Sequence, residues 1–349
     1  MSTIKDIAKA CNVSVATVSN VINDKPNVGD AIRARVLQAL TDMDYRPNYV
    51  AKNLKTSSTQ TIGILVEDIT VFSIPEIIEG VTQCSEKHDY HIILNNLSLH
   101  NKYEDTYYYG EEYFDTVQKE IRELLAKQVD GIIYIASHER IIQCIPEDLL
   151  VPVIMTYGYS KSEKCPSVVV DEVRGTYELI EYLMKLGHEK IGVISGKDGN
   201  IHTSARMVGY QKALYDNNMF YNPDLVVSGE WTREGGYSCV DTLLANDVTA
   251  IFCMNDLMAG GVYDRLAERS IIPGKDISII GYDDRELASY LRPRLTTMKL
   301  PLYNIGYTSC ELLLDMIRMK HNDEYINQSE VVVIEEKGEL IIRESTCAI

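Results

Sequence analysis

The fold is decided near the start of the chain by residues 3–22, which read TIKDIAKACNVSVATVSNVI. Thr3 and Asp6 have the spacing of a capping box, which predicts a first helix. After a short turn, Ser14 has the side chain of an N-cap for a second helix over residues 15–21. Two short helices joined in this way form a helix-turn-helix, whose second helix lies in the DNA major groove.

A third helix is predicted over residues 30–43, with Asp30 as its cap. Its apolar side chains recur at helical spacing and would close a small core against the first two helices. They are Ile32, Val36, Leu37 and Leu40. Residues 1–46 therefore form a predicted three-helix head.

The charge is divided unevenly along the chain. The formal net charge is -17, yet residues 1–60 hold eight Lys or Arg against five Asp or Glu. A basic head on an acidic body would turn the head toward phosphate and the body away from it. This asymmetry agrees with a DNA-binding head.

Composition excludes several other classes. The chain is 45% hydrophobic, which indicates a folded protein and not a disordered one. Its eight cysteines have no metal-ligand spacing and are predicted to be free thiols. No apolar run is long enough to span a membrane, and no signal peptide is recognisable. We expect a cytoplasmic protein that needs no cofactor and no metal.

From residue 61 onward, short apolar runs alternate with helical stretches, a pattern typical of a doubly wound α/β fold with mostly parallel sheets. There are too many runs for one sheet, so we expect a first lobe at about 61–170 and 300–329. The second lobe would hold about 171–299 and 330–349, with a hairpin in its tail at 331–334 and 339–342. The predicted strands are 62–66, 91–94, 131–136, 152–155, 191–195, 225–227, 250–254 and 277–281. A ligand would bind in the cleft between the lobes.

Many motifs, in order along the chain, are similar to those of one family, the lactose-repressor (LacI/GalR) regulators. The matching segments are 3–8, 13–23, 45–48, 51–54, 186–191, 206–210, 255–256, 281–284 and 295–297. The resemblance implies a head at 1–46, a hinge helix and linker at 47–60, and a periplasmic-binding-protein-like effector domain at 61–349. It implies a regulator, usually a repressor, that binds a near-palindromic DNA operator as a homodimer and responds to a small molecule, most often a sugar.

The second helix carries the residues expected to read DNA. Val15 and Ala16 match the family's specificity positions, and such side chains can contact thymine methyls. Asn20 stands where the family usually has arginine; because asparagine pairs best with adenine, we expect an operator that differs there. Short polar side chains suited to phosphates or base edges complete the set, and these are Thr3, Ser14, Thr17, Ser19 and Asn23.

The hinge segment resembles the family's minor-groove element. Leu54 matches an intercalating leucine, an apolar wedge that unstacks a base step and bends the DNA. Asn48, Ala51 and Lys55 complete the predicted contacts of this segment. The predicted hinge helix, residues 47–54, has eight residues, which are too few for an independent helix, so it would fold only when it meets DNA and its partner subunit.

The effector site is expected between the lobes. Arg206, Asn255 and Asp283 match the family's ligand-binding residues, and together they supply donors and acceptors for sugar hydroxyls. Trp231 is either a core residue or a platform that stacks on the ligand. Asp171 and Ile74 are weaker candidates for the same pocket.

Residues 101–114 depart from the family and carry five tyrosines. They form either a surface loop or helix extension with tyrosines tipped toward solvent, or an insertion that covers the cleft or contacts a partner. Three alternative functions stay open. One is a solute-binding protein, which the DNA-binding head argues against, and another is an enzyme, for which no nucleophile motif or phosphate-binding loop is recognisable. The third is a regulator of the same family that responds to a purine or to a phosphorylated carrier protein.

Overall fold

The computed structural model describes residues 3–22, 25–45, 58–162, 164–321 and 332–349. The chain divides into two units, Met1–Thr59 and Gln60–Ile349.

The N-terminal unit contains helices α1 (Ile4–Ala10), α2 (Val15–Ile22) and α3 (Asp30–Asp42). The predicted capping box is present at the start of α1. The Thr3 N–H donates to the Asp6 carboxylate at 2.8 Å, and the Asp6 N–H donates to the Thr3 hydroxyl at 3.3 Å. Two backbone donors that the helix leaves without partners are thereby satisfied.

Helices α2 and α3 begin with different N-caps. The Ser14 hydroxyl accepts the Thr17 N–H at 3.0 Å, as expected of a cap. The prediction that Asp30 caps α3 is wrong: Gly29 is the N-cap, and Asp30 is the first helical residue, where its charge favours the helix dipole. Leu37 is also 49% exposed and lies outside the core. The buried apolar residues of this unit are Ile7, Ala8, Cys11, Val18, Val21 and Val36.

The second unit consists of two lobes, and the first is built on a parallel sheet. Its strands are β1 (Thr61–Val66), β2 (His91–Asn96), β3 (Gly131–Ile135), β5 (Val153–Thr156), β7 (Ser167–Val170) and β13 (Val333–Glu336), beside a small pair β4 (Ile141–Ile142) and β6 (Tyr159–Ser160). The strand order is β13-β7-β5-β3-β1-β2.

Helices cover both faces of this sheet. They are α4 (Ile74–Lys87), α5 (Leu99–Tyr103), α6 (Phe114–Ala126) and α12 (Leu302–His321). Helices α4 and α12 pack against each other on one face, and α6 contacts β1 from the other. In β1, Ile64 lies in the core under one face and Leu65 in the core under the opposite face. Because both faces are buried, the strand is apolar throughout.

The second lobe has the same architecture. Its strands are β8 (Ile191–Ser195), β9 (Val226–Ser228), β10 (Ala250–Cys253), β11 (Ser278–Asp283), β12 (Thr296–Lys299) and β14 (Glu339–Ile341), in the order β14-β12-β11-β10-β8-β9. Its helices are α7 (Glu172–Lys185), α8 (Ile201–Asp216), α9 (Arg233–Leu244), α10 (Asp256–Glu268) and α11 (Glu286–Tyr290). Helices α7 and α8 pack together, as do α9 and α10. The doubly wound α/β prediction is confirmed, although β7 and β12 were not foreseen.

The tail corrects another expectation. Residues 331–342 were expected to form a hairpin inside the second lobe, but β13 pairs with β7 of the first lobe and β14 with β12 of the second. The turn at Lys337 and Gly338 carries the chain from one sheet to the other. Gly338 approaches Lys299 so closely that a β-carbon there would lie 2.8 Å from its carbonyl oxygen. The sheet to which β13 and β14 each belong is set by pairing with strands distant in sequence, and not by the turn between them.

Candidate functional site

Helix α2 presents one face to solvent and one to the head's core. Val18 and Val21 are buried, whereas Val15 is 41% exposed and Ala16 is exposed beside it. Thr3 and Ser14 are exposed at the caps of α1 and α2, while Thr17, Ser19 and Asn20 are half-buried along α2. The exposed end of α2 is therefore its N-terminus, the end that reaches base edges in helix-turn-helix proteins.

The predicted hinge contacts lie outside the described residues. They are Asn48, Ala51, Leu54 and Lys55. The predicted DNA contact Asn23 also lies outside the described residues. Their roles stay predictions.

In the second unit, the strongest cluster of charged side chains forms around Arg206, which is 2% exposed. Its Nε and Nη2 each donate to the Glu172 carboxylate at 2.8 Å, and its Nη1 donates to the Met254 carbonyl. The guanidinium also lies 3.7 Å from the centre of the Tyr282 ring. Burial alone would raise the pKa of Glu172, but Arg206 holds it well below its usual range. The pair is thus fully ionised inside the protein.

Asp283 ends β11 and lies beside this pair. Its Oδ1 is 3.7 Å from Arg206 Nη2, and its backbone has the left-handed φ of 105°. Burial raises the pKa of Asp283 to about 6, against the opposing effect of Arg206. Asp283 is therefore a second carboxylate at a guanidinium that Glu172 already occupies.

Asn255 and Trp231 form another wall of the cluster. Asn255 caps α10, because its side-chain oxygen accepts the Met258 N–H at 2.8 Å, and its Nδ2 donates to the Trp231 carbonyl at 3.2 Å. The half-buried Trp231 ring lies 5.6 Å from the Arg206 guanidinium. Its indole fills the space over Gly196, where a β-carbon would come within 2.0 Å of the ring. Four of the predicted effector residues thus lie together.

The two weaker candidates have other contacts. Ile74 is fully buried at the start of α4 in the first lobe's core. Asp171 caps α7 by accepting the Arg174 N–H at 3.0 Å. Its neighbour Glu172 takes the place beside Arg206.

A hydrogen-bonded chain joins the two lobes at this cluster. Glu139 follows β3 in the first lobe, and its N–H donates to Nε2 of His202 on α8 at 3.3 Å. Nδ1 of His202 lies 2.8 Å from Glu172 Oε1. The chain runs from Glu139 through His202 and Glu172 to Arg206. Contacts across the cleft are therefore made by the protein's own buried ionisable groups.

Glu139, Glu172 and His202 each offer an atom within 4.8 Å of the others, a spacing that could hold a metal ion. His202, however, has no free lone pair with which to bind a metal ion. Because Nε2 accepts the Glu139 N–H, the ring proton sits on Nδ1, where it is donated to Glu172. These contacts favour a proton-linked network over a metal site.

The tyrosine-rich segment packs around Arg140, next to Glu139. Tyr107, Tyr108 and Tyr113 place ring centres 5.2, 5.5 and 5.8 Å from the Arg140 guanidinium, while Tyr109 is 87% exposed. Arg140 in turn donates to both oxygens of Glu67, at 2.9 and 2.6 Å. The alternative of a loop with only solvent-facing tyrosines is therefore wrong. The segment supports the first-lobe loop that bears Glu139.

Sequence reasoning missed four members of this site: Glu139, Arg140, Glu172 and His202. Two had a usable signal. His202 lies one helical turn before Arg206, so the two share a face of α8. Glu172 lies two residues after the end of the apolar strand β7, at the carboxyl end where ligands bind.

Family models match both units. Residues 3–48 match the model of bacterial regulatory proteins of the lacI family, and residues 180–346 match a periplasmic binding protein-like domain. The "HTH-type transcriptional repressor PurR" of Vibrio campbellii (strain ATCC BAA-1116) is 33% identical over 347 residues, which cover 95% of this chain and 98% of that relative. The chain belongs to the lacI family of bacterial regulatory proteins. The resemblance found in its motifs is thereby confirmed.

Solved structures of other regulators share the fold of this lacI-family protein. A lac repressor dimer bound to operator and the anti-inducer ONPF aligns over 99% of both chains, with a TM-score of 0.73 and 24% identity. A lacI-family regulator from Enterococcus faecium with bound ribose aligns over 83% of this chain and 99% of its own, with a TM-score of 0.60 and 27% identity.

This lacI-family protein is therefore a DNA-binding transcriptional regulator and not an enzyme. Within the part of the chain that the structure describes, no helix is both long and apolar enough to cross a bilayer.

Proposed function

We propose that this protein is a cytoplasmic repressor that binds a near-palindromic operator as a homodimer. A small molecule, most favourably a sugar, binds between the lobes and changes the affinity for the operator. Such control requires that the effector prefer one arrangement of the protein over another.

The exposed N-terminal end of α2 carries the DNA part of this proposal. Val15 and Ala16 project from a helix whose Val18 and Val21 are buried, so the helix can enter a groove without unfolding the head. Both side chains are apolar and suit thymine methyls, and Asn20 one turn further suits adenine. One head buries little DNA, so two heads on two half-sites supply specific affinity.

The cluster around Arg206 supports the effector part. Asn255, Asp283 and the Trp231 ring lie together at the carboxyl ends of strands in the second lobe. Amide and carboxylate groups bind hydroxyls, and an indole face suits the C–H face of a sugar. The ribose-bound regulator, whose chain aligns over most of the second unit, is consistent with this choice. A purine that stacks on Trp231 is the second candidate, and a phosphorylated carrier protein is a third.

Selection of bound sequences from a random DNA pool tests the proposal. We expect inverted half-sites, with adenine preferred at the base pair that Asn20 contacts. Leu54→Ala should weaken binding to the selected operator and leave binding to random DNA nearly unchanged. Failure to enrich any paired half-sites would contradict a dimeric operator-binding repressor.

A thermal-shift screen with sugars, nucleosides and purine bases tests the effector. A ligand at about 100 times its dissociation constant adds roughly 2.7 kcal/mol to the folded state. A shift with a sugar that Asp283→Ala abolishes, together with a change in operator affinity, would support the proposal. A shift with purines alone would replace the sugar by a purine.

A further inference from the structure

We propose that the effector carries a protonated amine and that Glu139 binds it. This inference rests on the proposed function, since it assumes that a small molecule enters between the lobes.

One oxygen of Glu139 is a buried acceptor without a donor. Oε1 accepts the Val170 N–H at 2.9 Å, whereas Oε2 has no hydrogen-bond partner among the described residues. His202 Nδ1 lies 3.9 Å from this oxygen, but it already donates to Glu172. Glu139 as a whole is 2% exposed. A carboxylate oxygen kept from both water and donors is costly, so the site lacks one donor.

The charges around it are also unbalanced. Glu139, Glu172 and Asp283 contribute three carboxyl groups, whereas Arg206 contributes one guanidinium and Arg285 acts on Asp283. Because His202 is a neutral ring when its Nε2 accepts the Glu139 N–H, Glu139 has no cationic partner of its own. Burial raises the pKa of Glu139 to about 7, so the empty site partly compensates by holding a proton.

Arg206 and Arg140 already donate their hydrogen bonds to other groups. Arg206 uses two donors on Glu172 and one on the Met254 carbonyl. Arg140, the residue after Glu139, donates to both oxygens of Glu67. Neither guanidinium can turn to Glu139 without abandoning a buried partner, so we assign the charge that pairs with Glu139 to a ligand.

The form of the acceptor selects an amine. Because Oε1 is occupied by the Val170 N–H, Glu139 offers a single free oxygen, which suits a compact ammonium better than a guanidinium fork that needs two. A neutral hydroxyl would supply a hydrogen bond but no charge. A metal ion would need the His202 lone pair that the Glu139 N–H already occupies. A charge-assisted hydrogen bond from an ammonium N–H to Glu139 Oε2 supplies both the missing donor and the missing positive charge.

Entry to Glu139 requires the lobes to part. Glu139 belongs to the first lobe and His202 to the second, so opening the cleft separates them and exposes the free oxygen. An ammonium bound there would then be enclosed as the lobes close.

The test compares amines with their neutral counterparts on the full-length protein. Calorimetry and thermal shift at pH 7.5 would use glucosamine, galactosamine and the diamine putrescine, each beside a neutral partner: glucose, galactose or butanediol. We expect an amine to raise Tm while its partner does not, and Glu139→Gln to weaken its binding about tenfold or more, as loss of a charged hydrogen bond predicts. Glu178→Gln replaces a half-buried carboxylate on α7; it is the control and should bind as the wild type does.

A second measurement needs no ligand. If Glu139 carries an uncompensated charge, Glu139→Gln should raise the Tm of the unliganded protein at pH 8, whereas Glu178→Gln should not. The inference is overturned if Tm does not rise, if no amine of the panel binds, or if neutral partners bind both proteins equally well. Operator binding measured on the same samples separates the two proposals. If a neutral sugar alters operator affinity and no amine does, the proposed regulatory function stands and only the proposal of an amine effector fails.

Discussion

Arg206 donates two hydrogen bonds to the Glu172 carboxylate, both at 2.8 Å, so the chain supplies its own anion to the arginine that the family resemblance assigns to the effector. Both residues are almost wholly buried. A ligand that reached for this guanidinium would have to displace an internal carboxylate already in the best geometry. We therefore expect the proposed effector to be recognised mainly by the groups around the pair, which are Asp283, Asn255, Trp231 and Glu139.

Glu172→Gln should lower the free energy of unfolding by about 3 kcal/mol, because it leaves the Arg206 charge buried without its partner. Urea unfolding would measure this. Glu178→Gln on the same helix is the control: Glu178 is partly exposed and pairs with Arg174 and Lys337, so its loss should cost less than about 1 kcal/mol. Equal losses in the two variants would show that the buried pair contributes no more than a surface one.

The stability of Glu139→Gln relative to the wild type should depend on pH. Burial raises the pKa of the Glu139 carboxyl to about 7 in the folded protein. The folded state therefore holds this proton more tightly than the unfolded state, and wild-type stability falls as pH rises from the ordinary glutamate range to about 7. Glutamine does not titrate, so the variant should gain roughly 2 kcal/mol on the wild type between pH 5 and pH 8. Denaturant titrations at both pH values test this.

His202 is a second titratable group that faces the same carboxylates. Burial lowers its pKa, but its hydrogen bond to Glu172 raises it above the ordinary value overall. Its contribution is present at low pH and is lost as pH rises through that raised pKa. Following the His202 ring by NMR during the titration separates the two groups. A stability difference that stays constant with pH would mean that Glu139 is ionised throughout.

Asn20→Arg should change which operator is read. An asparagine pairs with adenine, whereas an arginine donates to both acceptors of guanine. The base pair that this residue contacts should move from adenine to guanine in a random-pool selection, with the other positions unchanged. Lys9→Arg on α1 keeps the charge of the head and should leave the preference as it is. Guanine already favoured by the wild type would contradict the assignment of Asn20.

Tyr107→Ala should destabilise the first lobe by roughly 3 kcal/mol, because it empties a buried aromatic site and removes a ring from the Arg140 guanidinium. Tyr109→Ala, two residues away and 87% exposed, should change stability by less than about 0.5 kcal/mol. Thermal unfolding of both variants makes the comparison. If both variants lose little stability, residues 101–114 contribute little to the stability of the first lobe and form only a surface loop.

Local signals were sufficient for much of the fold. The capping box at Thr3 and Asp6 and the cap at Ser14 involve residues three apart, so their chemistry is legible without tertiary structure. The apolar runs of the two sheets were equally legible, because strands buried on both faces have to be apolar along their length. The four-residue β7 and β12 were missed because such short runs resemble any apolar stretch.

By itself, then, the sequence determined the three-helix head and the α/β class of the body. Its resemblance to the family also indicated the grouping of Arg206, Asn255 and Asp283, and left Trp231 as either a core residue or part of that group. Only the tertiary structure decided that Glu172 neutralises Arg206, that Glu139 meets His202 from 63 residues away, and that β13 and β14 part into different lobes. The reason is physical. Caps and periodicity depend on neighbours along the chain, whereas the partner of a buried charge depends on which loops the sheets bring to one edge.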